Sequence, residues 1–139
     1  MDGVAHQLAV HEVALVYPSE SLSRQIATWA RRRTDCIVAP VFVRSLPEIR
    51  RAVRHVDAVI VDATEDYVQA VDAFSQAAAC LGAHATTVYA ERMHEGLELF
   101  VRMRGSLLLF GPLSDVQWED FLDLSLHPHR RKRRWGMVA

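Results

Sequence analysis

Asp62 is the residue of this chain best placed to do chemistry. It closes the apolar run Ala58-Val59-Ile60-Val61, where a buried strand delivers a side chain to the edge of a sheet. An aspartate in that position can accept a phosphoryl group. The transfer needs a divalent cation held by further carboxylates, and a fixed cation to offset developing charge. Neither accompanies Asp62: the one lysine of the sequence is Lys132, in a basic tail beyond the last core element. The expectation is therefore a non-catalytic protein without catalytic residues, cofactor or metal. In it Asp62 is a vestigial phosphoacceptor or a structural cap, with Thr64, Glu65 or the amides of the following loop as candidate partners.

Other constellations carry less. The seven histidines, His6, His11, His55, His84, His94, His127 and His129, include no pair at the helical i, i+4 spacing of metal ligands. There is no G-x-S-x-G elbow, and Ser19, Ser21 and Ser23 read as helix N-caps. The loop 17–19 contains no glycine, which counts against phosphate cradling at the first strand end. Cys36 and Cys80 form no C-x-x-C pair and read as buried thiols of a reducing compartment.

Charge is divided along the chain. Arg130, Arg131, Lys132, Arg133 and Arg134 hold five of the 16 basic residues, which leaves 11 against 17 acidic residues, a formal −6, in residues 1–129. Such a body repels nucleic acid, so polyanion binding would fall to the tail, where Trp135 is available to stack. A solvated terminus, or docking of the tail on the acidic body, are the other readings. With 50% hydrophobic and 24% charged residues, no bilayer-length apolar run and no signal-peptide pattern, the composition fits one cytoplasmic globular domain.

Five apolar runs, 13–17, 37–43, 58–61, 85–90 and 106–110, alternate with segments of helical period. Their unbroken aliphatic character predicts parallel strands covered on both faces. Leu22, Ile26 and Trp29 predict a first helix, closed by Arg31, Arg32 and Arg33. Ser45 and Glu48 suggest a capping box before a second helix with Leu46, Ile49 and Val53 on its apolar stripe. Val68, Val71, Phe74, Ala78 and Leu81 line a third helix ended by Gly82, and 95–103 forms a fourth, weakened by Gly96. Ser114 and Gln117 cap a fifth, with Val116, Trp118, Phe121, Leu122 and Leu124 as its apolar surface. The pattern predicts an α/β flavodoxin-like (βα)5 sandwich with a five-stranded parallel sheet of order 2-1-3-4-5. Its boundaries are an N-terminal extension 1–10, a domain 11–126 and a basic tail 127–139.

Asp62 at the end of the third strand, Tyr89-Ala90-Glu91 after the fourth, and Arg104-Gly105-Ser106 leading to Gly111-Pro112 give the order of elements a likeness. Over about 11–126 the chain resembles the receiver domain of bacterial two-component response regulators. The resemblance implies a pair of Mg²⁺-binding acids after the first strand, where this chain has Tyr17-Pro18-Ser19, with Glu20 the first carboxylate. It implies a phosphate-sensing hydroxyl residue at Tyr89, an aromatic at Leu108, and a lysine at Gly111. The likeness is thus to a degenerate, pseudo-receiver domain that signals by protein–protein interaction without aspartate phosphorylation. Since receivers associate through helix 4, strand 5 and helix 5, Leu97, Phe100, Val101, Trp118 and Phe121 are the candidate interface, with a homodimer as one form of it. Two alternatives stay open: a phosphoaccepting regulator whose metal site uses Glu20 or Glu65, and a nucleic-acid-associated regulator acting through the tail.

Overall fold

The computed structural model describes residues 8–127. The elements run β1 (Ala9–Val16), α1 (Glu20–Arg32), β2 (Cys36–Val43), α2 (Leu46–Val53), β3 (Ala58–Asp62), α3 (Tyr67–Leu81), β4 (Thr86–Ala90), α4 (Glu95–Met103), β5 (Leu107–Phe110) and α5 (Asp115–Leu126), with a 3-10 turn at Ala83–Ala85. All strand pairs are parallel, in the order β2-β1-β3-β4-β5, which is the flavodoxin-like arrangement predicted. β1 begins at Ala9, so the boundary at residue 11 cuts into a strand. Ala9 and Val10 pair with Cys36 and Ile37, below the start of the β3 ladder at Val13.

Strand pleating divides the core in two. Val13, Leu15, Ile60 and Tyr89 face α1 and α5, while Ala14, Val16, Val59, Val61 and Val88 face α2, α3 and α4. Every residue of β3 and β4 is buried, as their unbroken apolar runs require. Across the first core Trp29 of α1 stacks on Trp118 of α5 at 5.1 Å between centroids, and Phe121 meets Trp118 edge-on.

The helices form where expected but do not always turn the expected face inward. α3 buries Ala70, Ala73, Phe74 and Ala77, and leaves Val68 67% exposed. Its alanines let the helix approach the sheet closely, and that packing overrides the larger side chains of the stripe first read. Cys80 lies outside that face and is exposed, contrary to the expectation for both thiols; Cys36 is buried. Val116 of α5 also points outward. At α2 the capping box is incomplete: the Ser45 hydroxyl donates to Glu48 Oε1 at 3.0 Å and caps no amide. At α5 the box is complete, with Ser114 Oγ accepting from Gln117 N–H and Gln117 Oε1 accepting from Ser114 N–H. α4 has the predicted bounds, and His94 caps it through Nδ1, which accepts the Leu97 N–H at 3.0 Å. A Cβ on Gly96 would lie 3.2 Å from the His94 ring, which explains a glycine in that first turn.

Candidate functional site at the carboxyl rim of the sheet

The β3 ladder carries Asp62 to the carboxyl edge of the sheet, paired in register with Tyr89 of β4. The carboxylate is only 3% exposed, and each oxygen is engaged. Oδ1 accepts the Thr64 N–H at 2.9 Å, and Oδ2 accepts the Ser19 N–H at 2.8 Å. Ser19 is the N-cap of α1, its own Oγ accepting the Leu22 N–H. Asp62 thus fixes the residue that fixes the helix, a tie between β3 and α1 across 43 positions of sequence.

The loop that brings Ser19 to Asp62 departs from ordinary backbone geometry. Tyr17 is the one non-glycine residue with positive φ among the described residues, at 53°, and Pro18 follows it. Its N–H bonds to the Val43 carbonyl at 2.9 Å, and its ring packs on the α2–α4 core. Burial, and then the Asp72 carboxylate, push the Tyr17 phenol above its ordinary range, so it stays neutral at physiological pH. Where the receiver pattern implies acids, this loop carries a neutral phenol, a proline and a capping serine.

Tyr89 is fully buried, and its hydroxyl accepts a hydrogen bond from Gln25 Nε2 at 3.0 Å. The same nitrogen donates to Ser21 Oγ, and Gln25 Oε1 accepts the Leu113 N–H at 2.8 Å. One glutamine therefore ties α1, β4 and the β5–α5 loop together. Gln25 was missed in the sequence, although it carried a signal: with Leu22, Ile26 and Trp29 it completes the inward i, i+3, i+4, i+7 set, a polar residue on an apolar stripe.

Gly111 takes φ 64°, and its N–H bonds to the Ala90 carbonyl at 3.0 Å, so the residue at the lysine position makes a left-handed turn. Leu108 packs partly buried against the α2–α4 core. Glu20 is exposed and paired with Arg24 at 3.7 Å, and Glu65 lines a cleft of about 440 Å³ over the ends of β3 and β4, formed by the β3–α3 and β4–α4 loops with Ala63 and Thr64. Tyr67 and His94 stack at 4.2 Å beside that cleft. Among the described residues no group of three or more His, Cys, Asp or Glu side chains is arranged to hold a metal.

The expected interface residues need correction. Leu97, Val101, Trp118 and Phe121 are at most 2% exposed, because they fill the domain's own two cores. Of the five, only Phe100 reaches the surface, edge-on to Phe74 and beneath the Arg104 guanidinium at 3.6 Å. The cations at 130–134 lie outside the described residues.

No protein-family model matches the chain, and no curated protein resembles it in sequence. Its fold is shared with solved structures. One, from Sinorhizobium meliloti 1021, is described as a CpaE2 pilus assembly protein; it has TM-score 0.59 and 16% identity over 82% of this chain and 98% of the other. A second, pilus assembly protein CpaE from Caulobacter crescentus CB15, gives TM-score 0.57 and 15% identity over 83% and 92%. Identity this low speaks to fold alone, and the fold is the α/β flavodoxin-like class.

Proposed function

We propose that this chain is a receiver-like regulatory domain that acts by binding protein and passes no phosphoryl group. The observation that carries the reading is the engagement of both Asp62 oxygens by main-chain amides, Ser19 N–H and Thr64 N–H. A nucleophilic carboxylate has to present one oxygen to phosphorus and share the other with a metal, and here each is turned into the protein. Removal of a preorganised charge partner costs ~3 to 4 kcal/mol in comparable sites, so a rim with no lysine at Gly111 and, among the described residues, no acids grouped to hold a metal leaves transfer slow beyond use. Two pilus assembly proteins share the fold, which fits a receiver-like regulatory domain.

The test is intact-mass spectrometry of the full chain with acetyl phosphate and Mg²⁺. No phosphoryl adduct over hours is the expected result. An adduct that disappears in Asp62→Asn would restore the phosphoaccepting alternative.

For the binding itself, Leu99 and Met103 offer an outward apolar pair one turn apart on α4, 63% and 75% exposed. Self-association through this face is the simplest form of the proposal. Light scattering should give a dimer mass that Leu99→Glu reduces to that of a monomer.

A further inference from the structure

Among the described residues, four of the helices begin with a side chain that accepts an amide hydrogen: Ser19 on α1, Asp66 on α3, His94 on α4 and Ser114 on α5. Three of these acceptors are oxygens. The fourth is a ring nitrogen, His94 Nδ1, which accepts the Leu97 N–H at 3.0 Å. That bond uses the lone pair of Nδ1, so it exists only with a neutral imidazole whose proton sits on Nε2. An imidazolium carries a donor on both nitrogens and would set one N–H against another. Histidine is also the side chain whose charge ordinarily changes between pH 5 and 8.

α4 is poorly equipped to do without this cap. It is nine residues long and has Gly96 in its first turn, where glycine weakens a helix. Its first main-chain bond runs from Glu98 N–H to the His94 carbonyl at 2.9 Å, so one residue anchors the turn through both its carbonyl and its ring. A cation placed there also opposes the positive end of the helix dipole. On the α3 side the ring stacks on Tyr67 at 4.2 Å, and both residues line the cleft over the ends of β3 and β4 with Leu97. The charged groups around the ring are Glu65, Glu91 and Arg92, which line the same cleft, with Asp66 beside Tyr67 and Glu95 next in the chain. Glu98 is turned to Arg102 at 3.4 Å, and Asp66 accepts the Gln69 N–H. These groups bear on how readily the ring takes up a proton, but the Leu97 N–H is answered by Nδ1.

We propose that His94 is a pH-responsive cap. It holds the first turn of α4 while the imidazole is neutral, and as pH falls through the histidine range it releases that turn, and with it one side of the cleft, in a domain that stays folded. The inference stands on α4 alone. It needs neither the reading of Asp62 nor association through Leu99 and Met103.

Amide hydrogen exchange of the full chain, followed by NMR and referred to the intrinsic rate at each pH, tests the cap. Between about pH 7.5 and about pH 5.5, protection at Leu97 and Glu98 should fall ~10-fold, while Ala73 in α3 and Phe121 in α5 should change by less than ~2-fold. In His94→Asn, whose amide oxygen accepts at either pH, the fall at Leu97 and Glu98 should shrink to within ~2-fold. A second reading needs no substitution: the Leu97 amide proton shift should follow the His94 ring through one shared titration. Unchanged protection at Leu97 and Glu98, an equal fall in His94→Asn, or a Leu97 shift that moves apart from the ring would each overturn the proposal. So would a loss shared with α3 and α5, which would mark unfolding of the whole domain.

Discussion

Gln25 shows how a single side chain can tie three elements together at the rim of the sheet. Its amide joins Ser21 and Tyr89 to the Leu113 N–H, and so links α1 to β4 and the β5–α5 loop. Gln25→Leu should leave the Leu113 amide and the Tyr89 hydroxyl without their partner, at a cost of about 1 to 3 kcal/mol. Urea denaturation measures that loss, and amide hydrogen exchange at Leu113 should quicken; unchanged exchange would show that the glutamine is not the tie. Gly111→Lys restores the lysine of the receiver pattern but forces a side chain into φ 64°. It should cost ~1 kcal/mol and still yield no phosphoryl adduct, because Asp62 keeps both amide bonds. A phosphorylated Gly111→Lys protein would mean that the lysine alone was missing. The Thr64 amide was within reach of sequence reasoning, being two residues from Asp62. The Ser19 amide was not, since only the β1–β3 pairing brings the first loop beside the third strand.

At the scale of elements, the strand and helix order was legible because apolar runs and helical spacing depend on nearest neighbours along the chain. Which face a helix buries was less so. α3 is apolar on more than one side, and the small residues Ala70, Ala73 and Ala77 won the inward face by allowing close approach. The same ambiguity explains the misplaced interface: Trp118 and Phe121 are large and apolar, properties that serve a core and a contact surface equally. Their positions make opposite predictions for the two roles. Trp118→Ala removes the stack on Trp29 and should cost about 3 to 5 kcal/mol without a specific effect on association. Leu99→Glu, on the solvent side of α4, should alter stability by less than about 0.5 kcal/mol while weakening self-association. Thermal unfolding paired with light scattering on both variants separates the cases. A stable Trp118→Ala protein with altered mass would return that residue to the interface.

Across the whole molecule the two ends of the sheet carry different contacts. At the carboxyl rim, where this fold class places its ligands, Asp62 and Gln25 make a set of ties between α1, β3, β4 and the last loop, beside the cleft of about 440 Å³ over the ends of β3 and β4. At the amino edge Arg33 instead pairs with Asp35 and Glu119 in a groove between α1 and α5. The charge division was plain in the sequence, whereas the groove was not, because Asp35 and Glu119 meet only when α1 and α5 pack side by side. The equilibrium unfolding free energy of Asp62→Ala, set against the unaltered chain, asks most directly whether the carboxylate is a tie. A buried amide and a partly buried one lose a charged acceptor, so stability should fall by about 2 to 4 kcal/mol. A carboxylate kept for phosphoryl chemistry is typically held at some expense to the fold, so an Asp62→Ala protein of equal or greater stability would contradict this account.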